Sequence, residues 1–237
     1  MKARILALLG TVLAAAACSH AQNTAAPQVD DSGLARLNED QMQPVDDARV
    51  EEGRARDALA RARANEADAR ARLDVANTER SVAEAQLKRS QAERELLKKE
   101  YANQEQMAKV EQDIRASQER IKAADLKRQY LERMTQVAQA ESRLAQAHIK
   151  TAEAMTEQAK LRAMRTANVP EAESANSGQV DSRVAQLQRN EADERKRAAD
   201  LRASAVDLYN QWQQTDSRVR LLARPESLPI PPPQEPR

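Results

Sequence analysis

From Arg54 to Val169 the chain runs 116 residues without a glycine or a proline. The stretch is dominated by Ala, Arg, Glu, Gln, Leu and Lys, which have the best intrinsic helix propensity, and it lacks the breakers that punctuate compact loop-rich domains. It predicts an all-α chain in which 44–168 is one very long helix or two in near succession. Pro44 marks the expected start, at a first-turn position with Asp46 and Asp47 on the positive end of the helix dipole. Asn168-Val169-Pro170 marks the expected end, because the residue before a proline is pushed out of helical geometry. At 1.5 Å per residue this stretch alone would extend about 170 Å as a continuous helix. Composition agrees with a rod: no Phe, one Trp, three Tyr and 32% charged residues leave few large side chains for a globular core.

The two seam positions of the first half differ. Ala55, Ala62, Ala69, Ala76, Ala83, Ser90 and Leu97 are small nearly throughout, while Leu59, Glu66, Leu73, Arg80, Leu87, Arg94 and Tyr101 alternate apolar with charged residues. Alanine buries little area and seam charges oppose burial, so this half is expected to be a solvated helix or a loose oligomeric coil. Pairs at four-residue spacing, Glu52/Arg56, Asp57/Arg61, Glu66/Arg70, Asp68/Arg72, Glu84/Lys88 and Glu95/Lys99, support it locally. Past Tyr101 the register slips by one shortened step before Met107, Val110, Ile114, Ile121 and Ala124, which predicts a bend, hinge or turn near 102–106. Beyond it the apolar face broadens through Leu131, Met134, Val137, Leu144, Ile149 and Met155, as for a helix with a partner laid against it.

That partner follows a short polar connection over 169–178. Val180, Val184, Leu187, Glu191, Glu194, Ala198, Leu201, Ala205, Leu208, Trp212, Thr215, Val219 and Leu222 keep strict four-three spacing, and Pro225 ends the helix expected over 179–223. A short connection favours an antiparallel coiled-coil hairpin, folding this helix back along roughly Lys122 to Arg165. Tyr209 and Trp212 would then lie near Tyr130. Leu208, Tyr209 and Trp212 are read first as hairpin core and second as a candidate partner interface. Two flanks look unfolded: a polar tether over 18–43, and a tail over 224–237 with prolines at 225, 229, 231, 232, 233 and 236. The tail is read as a disordered end or as a docking peptide for an envelope partner.

The N-terminus reads as an export signal over 1–17. Lys2 and Arg4 precede an uncharged run from Ile5 to Ala17 that is too short to span a bilayer. Leu13-Ala14-Ala15-Ala16-Ala17-Cys18 resembles the lipobox of bacterial lipoproteins, which implies a diacylglycerol on the Cys18 thiol, removal of the signal, and acylation (palmitate) of the new N-terminus. Ala15 stands where that family usually has leucine, and cleavage after Ala17 by an ordinary signal peptidase is the alternative. In the family's sorting rule Ser19 implies passage to the outer membrane, with the chain facing the periplasm. Several acyl chains would make such an anchor stable. The acyl-anchored helical plan is similar to that of the murein lipoprotein, but the chain ends Gln234-Glu235-Pro236-Arg237, without the terminal lysine that joins that protein to peptidoglycan.

Chemistry is sparse in the sequence. His20 and His148 have no second histidine or cysteine at ligand spacing, and the four glycines, Gly10, Gly33, Gly53 and Gly178, are too scattered for a phosphate loop or a serine elbow. No catalytic residue, cofactor or metal is expected, and a rod offers no concave site to tune a carboxylate pair. Removing Lys2 and Arg4 takes the formal charge from +1 to about −1, so no nucleic-acid partner is expected. The expected function is an outer-membrane lipoprotein acting as a spacer or scaffold. It would touch an envelope protein or peptidoglycan, and a second copy through its coiled coil. The alternatives are a periplasmic holdase-type chaperone with helical tentacles and an adaptor of an efflux or secretion conduit.

Overall fold

The computed structural model describes residues 29–101 and 103–222. The signal over 1–17, Cys18, the first part of the expected tether and the tail lie outside the described residues. Those described form three long helices and two short 3-10 turns, with no strand among them. The protein is all-α.

Helix α1 spans Glu39–Lys99, α2 Gln104–Thr166 and α3 Ser177–Leu222. Of the two forms expected for 44–168, the chain takes the second, two helices in near succession, and the break expected near 102–106 is a full reversal. Between Lys99 and Gln104 the chain reverses, so that Arg80 of α1 meets Asp125 of α2, Lys127 meets Glu79, and Thr156 meets Glu52. A second reversal lays α3 antiparallel on α2, with Asp181 beside Gln158, Glu141 beside Arg202 and Ser204 beside Arg133. Helix α2 is therefore central, with α1 and α3 each packed along it and sharing no comparable interface with each other.

Each long helix opens on Asn-x-x-Gln. The Asn38 and Asn103 side chains accept from the backbone N–H of Gln41 and Gln106, whose side chains accept in return from the asparagine N–H. Asn176 likewise accepts from the Gln179 N–H. These reciprocal caps satisfy N–H groups that a helix end otherwise leaves orphaned. The start of α1 is thus Glu39 and not Pro44, which sits inside the helix and forgoes only the bond to the Asp40 carbonyl. The first reversal uses neither glycine nor proline: Tyr101 takes the left-handed φ of 52° and is almost fully exposed. At the other end of α2 the turn residue is Asn168, φ 54°, and the N–H groups of Asn168 and Val169 close onto the Arg165 and Met164 carbonyls.

The alanine seam of α1 is an internal interface, not a solvated face or an oligomeric coil. Ala55, Ala62, Ala76 and Ala83 are buried, and their partner positions from Leu59 to Arg94 are half-buried against α2. Small residues let the axes approach until the Thr135 hydroxyl lies 3.5 Å from the Ala69 carbonyl. The seam charges find partners there, Arg80 with Asp125 across the interface and Glu66 with Arg70. Along the surface Glu52/Arg56 and Asp68/Arg72 pair as the spacing suggested, whereas Glu84 turns to Arg80 and Glu95 to Arg94 and Lys98. The Glu95 carboxyl is held below its ordinary pKa, chiefly by hydrogen bonds from Lys98 and Arg94.

Large apolar residues gather at the end where α2 meets α3. Val29, Leu161, Met164, Val169, Ala172 and Val180 form a buried cluster with Leu34 and Leu37 against it. The second half of the expected tether is therefore docked: Asp31–Arg36 is a 3-10 turn lying on this base. Gly33 comes so close that a Cβ there would stand 2.8 Å from Val169 Cγ1 and 2.3 Å from Met164 Cε.

Candidate partner interface

The heptad spacing of α3 places its members toward α2 except for the last, Leu222, which is exposed. Val180, Val184, Leu187, Ala198, Ala205 and Val219 are buried, and Glu191, Glu194, Leu201, Leu208, Trp212 and Thr215 half-buried. The two seam glutamates are met by cations. Glu194 lies 3.6 Å from Arg143 of α2 and also pairs with Arg197; Glu191 pairs with Arg195 and approaches His148 Nδ1 at 3.3 Å. His148 Nε2 is 3.7 Å from Glu51 of α1, so one imidazole sits between carboxylates of both flanking helices. Its Nδ1 is within ion-pair range of Glu191 but not aligned for a hydrogen bond. Sequence spacing treated His148 as an isolated helix residue; Glu191, as a break in an apolar seam, was the trace of this contact.

The aromatic residues converge as the hairpin geometry requires. Tyr130 of α2 is 5.4 Å from Tyr209 and 5.9 Å from Trp212 between ring centroids, and Tyr209 is 5.7 Å from Trp212 in an edge-on arrangement. Three of the four aromatic side chains of the whole sequence therefore occupy one spot. Stacked and edge-on pairs of this kind contribute about 0.5–1.5 kcal/mol beyond burial. Lys127 Nζ stands 5.7 Å from the Trp212 ring and pairs at 2.6 Å with Glu79, tying the cluster to α1. Lys127 and Glu79 were not singled out by sequence, since the contact depends on the first reversal. Leu208 lies on the same seam one turn before Trp212, and Tyr209 remains 40% exposed. Gln213 donates to the Tyr209 hydroxyl at 2.9 Å, and that hydroxyl keeps its own proton to donate outward.

At the base, the Val29 N–H donates to Glu157 at 2.7 Å, and Lys160 pairs with Asp31 at 2.8 Å and with Glu157 at 2.9 Å. Burial opposes the Lys160 charge, but the hydrogen bonds to Asp31 and Glu157 outweigh it and raise the ammonium above its ordinary value. Arg36 grips Glu171 through two nitrogens. Between α1 and α3 runs an open groove of about 1240 Å³, lined by Arg56, Arg143, Lys150, Glu153, Arg183 and Asp193 among others, with both signs of charge interspersed. The described residues contain no cluster of three His, Cys, Asp or Glu suited to a metal ion, and no described helix is long and apolar enough to cross a membrane. No family model, no curated protein and no solved structure matches the chain at a significant level.

Proposed function

We propose that the protein is an outer-membrane lipoprotein anchored through Cys18, a non-enzymatic spacer or scaffold whose helical hairpins present a surface to an envelope partner in the periplasm. The observation that supports this reading best is the docking of Val29 to Arg36 on the base of the rod. The ten residues between Cys18 and Val29 extend at most about 3.3–3.6 Å each, which keeps the base within about 40 Å of an acylated Cys18. The α1–α2 reversal lies at the far end of α2, whose 63 residues span about 95 Å. An anchor at one end and a partner-facing surface along or beyond the other is the geometry of a spacer, and it acts by fixing distance and raising local concentration.

Cys18→Ser removes the acceptor of the lipid and leaves the described helices untouched. We expect the wild-type chain to fractionate with outer membranes, with a triacylated N-terminal peptide in its mass spectrum, and the variant to appear in the soluble periplasmic extract. A variant that still pellets with membranes in full amount overturns the reading.

A further inference from the structure

We propose that the exposed side of the Tyr130–Tyr209–Trp212 cluster is the docking site of this chain's own proline-rich tail, Pro225 to Pro236, closing back on α3 in the same molecule. Elsewhere the buried apolar positions that α3 turns to α2 are Val, Leu and Ala, as at Val184, Leu187, Ala198 and Ala205. Three aromatic rings in one place exceed what that seam uses to hold two helices together. They hold one another at 5.4–5.9 Å, so the surface they present is already rigid, and little conformational freedom is lost when a ligand lies on it. Tyr209 is 40% exposed, and its hydroxyl, oriented by Gln213, supplies a donor at the rim.

Aromatic faces with a rim donor suit polyproline segments, which present pyrrolidine rings on their edges and carbonyls with no internal partner. The tail contains Pro229-Ile230-Pro231-Pro232-Pro233-Gln234-Glu235-Pro236. With three residues per turn, Ile230, Pro233 and Pro236 share one edge and Pro229 and Pro232 the next, giving two adjacent apolar edges. The reach is also suitable. Helix α3 ends at Leu222, ten residues beyond Trp212, which is about 15 Å along the axis. Residues 223–228 suffice to reverse and cover that distance at about 3.1 Å each, leaving 229–236 over the rings. So short a connection places the segment at an effective concentration in the millimolar range, at which modest intrinsic affinity is enough. The proposal is independent of whether Cys18 carries lipid.

Trp212 is the only tryptophan in the chain, so its fluorescence reports on this site alone. The test compares the full chain with a full-length variant carrying Pro229→Ala, Pro231→Ala, Pro232→Ala and Pro233→Ala, in which no described residue changes. We expect unchanged far-UV helicity, a red-shifted Trp212 emission and an acrylamide quenching constant about twofold higher, as the ring passes from covered to partly solvated. Excess synthetic peptide of the sequence Arg224 to Arg237 should reverse both changes. Equal emission and quenching in the two proteins overturns the proposal. Wild-type quenching that rises on dilution also overturns it, because the occupant would then be the tail of a second copy.

Discussion

Tyr101 and Gly53 show how single residues answer to backbone geometry. Tyr101 holds a left-handed φ with its side chain in solvent, a conformation that costs an L residue about 1–2 kcal/mol. It persists because the flanking helices gain more by packing than the turn loses. Gly53 is the opposite: it lies in the helical interior of α1, with nothing within 4 Å of an added Cβ. Gly53→Ala should raise stability by about 1 kcal/mol through helix propensity alone, read as a shift of the thermal midpoint followed by far-UV circular dichroism. These two positions also show the limits of breaker-based reading. The one glycine inside α1 breaks nothing, while the turn between α1 and α2 contains no glycine at all. The Asn-x-x-Gln spacing that opens all three helices was present in the sequence, yet Asn210 and Gln213 repeat it inside α3, so the spacing alone does not mark a start.

Helix α1 depends on α2 through a seam of alanines. Each buried methyl contributes about 0.8 kcal/mol, so the interface is long and thin, and fit matters more than volume. Ala76, 1% exposed, should not tolerate enlargement: Ala76→Leu is expected to destabilise by about 1–3 kcal/mol, whereas Ala64→Leu on the exposed face should be nearly neutral. Equal melting of the two variants would mean that α1 does not pack on α2 in solution. The seam periodicity was legible from Ala55 to Leu97, whose members do line one face, whereas Tyr101, expected to continue it, leaves the helix for the turn and is exposed. Its partner was not, because a heptad pattern states which face is buried and not what buries it. The one-step register slip after Tyr101 was the visible trace of the reversal. In a continuous coil such a slip marks a bend, and here it marks the switch from one helix to its antiparallel neighbour.

At the scale of the whole molecule, the base is where the chain's two remote parts are joined. Lys160 on α2 links Asp31 of the N-terminal turn to Glu157, which also receives the Val29 N–H. Its charged form is favoured in the folded state. Its contribution is therefore complete below the ordinary lysine value of 10.5 and is lost as pH rises through the higher folded value. The thermal midpoint of the wild type should accordingly fall more steeply than that of Lys160→Met as the pH rises past 10.5, with the two slopes equal near neutrality. Parallel slopes throughout the alkaline range would show that the base does not rely on this charge.

Helicity, the contact face of α3 and its antiparallel return onto α2 follow from the chain's own periodicity. Propensity acts over a few residues, and a short connection leaves two long helices little choice of direction. That the break expected near 102–106 is a full reversal, that α2 buries the α1 alanines, and that Val29 to Arg36 docks on the base are decided only in three dimensions. Each depends on groups brought together across wide sequence separations, such as Val29 with Glu157 and Lys127 with Glu79. A local cost, the strained Tyr101 turn, is accepted because long-range burial outweighs it, and no window of sequence contains both sides of that balance.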